Sequence, residues 1–234
     1  MKKKSLLTIS ALMLTACGTA NLAVMEKSAD VSAQPELQIK TDGDFWGFGK
    51  EGTFDLAGLY QGKYNRSASD ANWFFGRITV KDGSMAAEIV RNDNGTSWQL
   101  VCTGGGASVN YMGVDFGGND PYRCDVMQGE TVVGEYKMEP TGGLIKIGIE
   151  KKEKGFIRVG STHFNVETIH TSKDLMMATE MALGYSFKQG SQEVAAAQTN
   201  GYLTLQMLPE LSEEQKDVLV IGTIASSLSW RPEE

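Results

Sequence analysis

His163 and His170 are the only imidazoles in the 234-residue chain, and they lie seven positions apart. On one regular strand an odd spacing sends two side chains to opposite faces. A metal shared by both would need a bulge or ligands from distant residues. Glu167 and Asp174 flank His170, and an imidazole beside a carboxylate is the pairing of a general base. One reading therefore sets a hydrolase or other enzyme around His170, Glu167 and Asp174; the plainer one makes both histidines surface or hairpin residues. The glycines of VCTGGGASVN have neither the GxxxxGK[ST] spacing nor GxGxxG ahead of a helix, and strand-like flanks make them a turn. No GxSxG elbow is present. These residues specify no cofactor and no metal centre.

The cysteines carry more information. Lys2, Lys3 and Lys4 precede an apolar run from Leu6 to Leu14, the head and middle of a secretory leader and too short to span a bilayer. Leu14-Thr15-Ala16-Cys17 resembles the lipobox of bacterial lipoproteins. The resemblance implies cleavage before Cys17, a diacylglycerol on its sulfur and a further acyl chain on the new amino group, and two or more chains anchor stably. Gly18 directly after the lipidated cysteine implies the outer membrane, periplasmic face. Cys102 and Cys124 remain, a lone pair outside any CxxC motif in a chain bound for an oxidising compartment. A disulfide is expected, closing a loop of about 20 residues for roughly 3 kcal/mol.

The formal charge of −7 includes three leader lysines, so the mature chain is more acidic still. Such a surface repels phosphate backbones, which excludes nucleic acid as a partner. The basic run Lys151-Lys152-Glu153-Lys154 reads as a solvated turn at Lys154-Gly155.

Three parts follow. Residues 1–16 are the leader, 17–44 an anchor and a polar tether interrupted by Pro35, and 45–234 one domain. Short β-prone runs separated by turn signals at Lys81-Asp82-Gly83, Gln128-Gly129, Gln189-Gly190 and Asn200-Gly201 give about eleven or twelve antiparallel strands, the rhythm of a sandwich or barrel. KDLMMATEM, Lys173 to Met181, does not decide between helix and strand. A helix is predicted over 213–230, with a capping box from Ser212 and Gln215. Its apolar residues lie on most faces, so it must be surrounded by protein.

Strands followed by such a helix resemble the tubby-like superfamily, over Gly184 to Leu228 (GYSFKQGSQEVAAAQ and EEQKDVLVIGTIASSL). The resemblance implies a barrel of about twelve strands closed around its terminal helix. The acidity of this chain departs from the basic, phosphoinositide-binding members.

A cluster of aromatics, Tyr60, Tyr64, Trp73, Phe74 and Phe75 behind Phe45, Trp46 and Phe48, is the candidate binding surface, because consecutive rings on a strand occupy both faces and aromatics favour protein contacts. The expected function is a non-enzymatic binding or envelope-structural lipoprotein. Its partners would be the membrane through covalent lipid, and an envelope protein, a glycan or a lipid ligand.

Overall fold

The computed structural model describes residues 23–42, 50–68, 84–104, 109–111, 114–116, 121–141 and 151–229. Alternation of large apolar with polar residues makes the strands. In β5 (Ser97–Thr103) Trp98, Leu100 and Cys102 are buried, in β8 (Tyr122–Gln128) Tyr122, Cys124 and Val126, and in β11 (Thr162–Ile169) Phe164 and Val166. Period-two burial puts these residues on one face.

The sheet has no edge. With β1 (Leu37–Thr41), β2 (Glu51–Leu56), β3 (Tyr60–Ala68), β4 (Ser84–Arg91), β9 (Thr131–Pro140), β10 (Glu153–Val159), β12 (Gly184–Gln189), β13 (Gln192–Gln198) and β14 (Thr204–Met207), these strands form a closed antiparallel barrel of twelve. The chain follows an up-and-down path, and β1 pairs with both β2 and β14 to close it. The hairpin of β6 (Val109–Tyr111) and β7 (Val114–Phe116) stands apart from the barrel. Closure satisfies the hydrogen-bonding rows that an open sheet would expose. The barrel, and not the sandwich, is therefore the outcome.

Helix α2 (Glu213–Ser229) is the core of that barrel. Ser212 Oγ accepts the Gln215 amide and Gln215 Oε1 accepts the Ser212 amide, the reciprocal box its sequence encodes. Every residue from Val218 to Leu228 is buried, including Thr223, Ser226 and Ser227, whose hydroxyls donate to carbonyls four residues back. The wall supplies hydroxyls in turn: Tyr122 donates to the Ala225 carbonyl at 3.0 Å, Tyr136 shares a 2.8 Å bond with Ser226 Oγ, and Tyr185 a 3.0 Å bond with Ser229 Oγ. Gly222 lets the helix sit close to the wall, since a Cβ there would lie 2.8 Å from the Phe187 ring.

Two sequence expectations are corrected here. Residues 23–41, read as part of a tether, belong to the folded unit: β1 is a wall strand, and the segment before it straps the outer face of β12 to β14. Met25 and Val31 bury there with Leu183 and Ala196, Met25 Sδ filling the space beside Gly184, and Gln206 donates to the carbonyls of Ser32 and Gln34. In β1 only Ile39 is fully buried, so the alternation was too short to see beside Pro35. Gly155, read as a turn, lies within β10, and the hairpin turn falls at Gly160 with φ 56°. It shares that left-handed backbone with Gly129 and Gly190 in the neighbouring turns. Between the two cysteines the chain forms the β6–β7 hairpin, which lies outside the direct pairing of β5 with β8.

Cys102 and Cys124 face each other in that pairing and form a disulfide inside the barrel. Replacing both by alanine is expected to lower stability by about 3 kcal/mol, because the loop constraint on the unfolded chain is removed. Urea titration should show a lower midpoint together with a steeper m, as the uncrosslinked unfolded chain exposes more surface. An unchanged midpoint would refute the contribution.

Candidate functional site

The two ends of the barrel differ in chemistry. One end carries short connections, at residues 57–59, 92–96, 129–130, 160–161 and 190–191, and the start of α2. There Arg91, at the end of β4, reaches Glu213 at 2.6 Å, Asp93 at 2.8 Å and Asp217 at 3.3 Å. Tyr60 donates to Asp217, and Thr162 to Glu214. Lys216 and then Arg91 hold the Glu213 carboxyl below the usual carboxylate range. Burial, followed by the Asp217 hydrogen bond, pushes the Tyr60 phenol up. This network pins the helix start, where negative side chains also complement the helix dipole. Sequence reasoning missed it, because Arg91 and Asp217 are 126 residues apart and only barrel closure joins them.

The opposite end, called the open end below, carries the β11–β12 connection (residues 170–183), the β13–β14 connection (residues 199–203), the end of α2 and residues 23–26 at the start of the N-terminal segment. His170 lies here, and both ring nitrogens are engaged: Nδ1 donates to the Thr179 carbonyl at 2.9 Å and Nε2 is 3.0 Å from Thr168 Oγ1. The Thr179 amide and hydroxyl return two bonds to the His170 carbonyl. His170 is 2% exposed. It acts as a clasp closing the base of the connection.

The proposed catalytic trio is not brought together. Glu167 has the outward parity of β11 and its carboxylate binds Lys188 at 2.7 Å. Asp174 is exposed, with its amide donating to Ser172 Oγ. Among the described residues neither carboxylate bonds to the imidazole. His163, the other imidazole, stacks on Phe156 outside the barrel. No group of three or more His, Cys, Asp or Glu among the described residues is placed to hold a metal ion.

The aromatic surface divides. Tyr60 and Tyr64, taken as members of an exposed patch, are 5% and 1% exposed and line the barrel. Their spacing of four in β3 gives them the same parity, and closure turned that face inward. Trp73, Phe74 and Phe75, like Cys17, lie outside the described residues.

The segment KDLMMATEM is neither helix nor strand but an irregular part of the β11–β12 connection. It exposes Leu175, Met176 and Met177. Ser172 forms an antiparallel bridge with Met25, the Glu26 amide donates to the Thr171 carbonyl, and the Asn200 side chain donates to the Ala23 carbonyl. Both connections are thus tied to the N-terminal segment. No helix among the described residues is long and apolar enough to cross a membrane.

No protein-family model matches the chain, and neither a curated protein nor a solved structure is significantly similar to it.

Proposed function

We propose that the protein is an outer-membrane-anchored lipoprotein facing the periplasm, and that its barrel, of tubby-like arrangement, is a non-enzymatic binding or envelope-structural domain. The filled interior carries the second half of this reading. α2 runs where an open barrel would hold a ligand, and its residues from Val218 to Leu228 are buried against the wall. A partner is therefore met on the outer wall or at an end, as an envelope protein, a glycan or a lipid. The pairing of both His170 nitrogens with structural groups fits the same reading.

The anchor rests on the basic head, the apolar run and Leu14-Thr15-Ala16-Cys17. Intact-mass analysis of protein extracted from its native membrane is expected to find a chain that begins at Cys17 and carries the acyl increment. A soluble, unmodified product would refute it. For the binding half, crosslinking in intact cells from the outer wall and the open end is expected to capture an envelope component. Turnover of an envelope-derived substrate that His170→Ala abolishes, with the barrel still folded, would replace binding by catalysis.

A further inference from the structure

Exposed apolar side chains of the open end lie on the β11–β12 connection and at the start of the N-terminal segment. Leu175, Met176 and Met177 are 41%, 104% and 73% exposed, and Val24, next to the Met25 bridge, is 45% exposed. Single exposed apolar residues are ordinary. Three in succession, on a connection whose base is held by the His170–Thr179 clasp and by the bridge to Met25, form a fixed apolar tip that calls for a partner.

The position of that tip along the chain selects the partner. Cys17 precedes Ala23, the first described residue, by six positions, so a fully extended chain keeps the two within about 20 Å. An acylated Cys17 therefore holds the open end beside the bilayer surface, and the tip meets lipid at a high effective concentration. A protein partner fits less well, because one short tip falls far below the roughly 20–30 residues that each side of a stable interface supplies. Methionine and leucine suit a fluid apolar phase, and the adjacent exposed Lys173 and Asp174 suit the headgroup level.

Resting on the lipoprotein reading, we propose that Leu175, Met176 and Met177, joined by Val24 next to the bridge, form a second, non-covalent membrane contact. They enter the boundary between headgroups and acyl chains, and the barrel stands with its open end toward the membrane. Two attachments then fix an orientation that a single lipid anchor leaves free. The charged network around Arg91 and Asp217, at the other end, faces the periplasm.

The test uses the acylated full chain in phosphatidylethanolamine–phosphatidylglycerol vesicles, with an environment-sensitive fluorophore on Met176→Cys or, at the opposite end, on Glu130→Cys. Both positions are exposed, so neither substitution removes a buried side chain. The expected result is a blue-shifted emission at 176 and several-fold stronger quenching there than at 130 by lipids spin-labelled near the headgroup. An acylated chain with both probes equally water-exposed overturns the contact and leaves the anchor standing. A chain without the acyl mass overturns both. A blue shift at 176 that rises with protein density and resists the lipid-borne quencher assigns the tip to a second copy and also overturns the proposal.

Discussion

A chain ending at Leu211 is expected to show no cooperative unfolding transition, because removal of α2 takes away the helix against which Tyr64, Leu100, Tyr136, Phe164, Phe187 and Leu205 line the barrel. Val218, Leu219, Val220, Ile221, Ile224 and Leu228 are each at most 1% exposed. At about 1.5 kcal/mol or more apiece their burial is worth at least ~9 kcal/mol, comparable with the whole stability of a domain, about 5–15 kcal/mol. The wall cannot close over the gap, since twelve strands joined in a ring set its circumference. The hydroxyls of Tyr122, Tyr136 and Tyr185 would also lose their helix partners. Thermal melts followed by near- and far-ultraviolet circular dichroism measure this. A sharp transition near the full-length midpoint would show the barrel to be self-sufficient. In the intact chain, Leu219→Ala should cost about 2–5 kcal/mol, the range for a buried leucine.

Stability should also fall steeply above pH 10. Burial is the leading cause that raises the phenols of Tyr136 and Tyr185, followed by their neighbours Tyr185 and Glu153 respectively. A group whose folded pKa is raised keeps its full contribution below the unfolded pKa, about 10 for tyrosine. Above that the unfolded chain releases protons that the folded chain retains, so stability declines until the folded pKa is reached. Each tyrosine contributes a slope of about 1.4 kcal/mol per pH unit, and the two together about 3. Tyr60, raised by burial and by Asp217, acts in the same direction. Urea titrations from pH 8 to pH 11 should give a plateau and then this decline. Tyr136→Phe should lower the plateau by about 1 kcal/mol for the lost Ser226 bond while flattening the alkaline limb. An alkaline limb with an unchanged slope in that variant would show that the folded protein does not hold the Tyr136 proton above pH 10.

Legibility followed the range of each signal. The capping box at Ser212 and Gln215 is completed within one turn, and it formed as read. Residues apolar on all faces of α2 required a surrounding wall, and the barrel supplies one. The turn at Gly155 was misread because a glycine next to lysines resembles a turn locally. Its true role is interstrand: a Cβ at Gly155 would lie 1.7 Å from the Lys137 carbonyl oxygen across the pairing with β9. Tyr60 and Tyr64 carried no mark of which side of the sheet would face inward. The clasp at His170 was not legible for a similar reason, as its partners Thr168 and Thr179 are revealed only once the connection folds back.

By itself, then, the sequence determined what depends on neighbours along the chain: strand-forming alternation, the capped terminal helix and a cysteine pair free to oxidise. Tertiary structure alone decided which strands close the ring. Five residues with one buried isoleucine become the wall strand β1 because β2 and β14 each offer it an unpaired edge. The same closure draws the start of the N-terminal segment and the Leu175–Met177 tip to one end and the Arg91–Asp217 network to the other. Backbone hydrogen bonds between strands far apart in the chain set those positions, and they leave no trace in local composition.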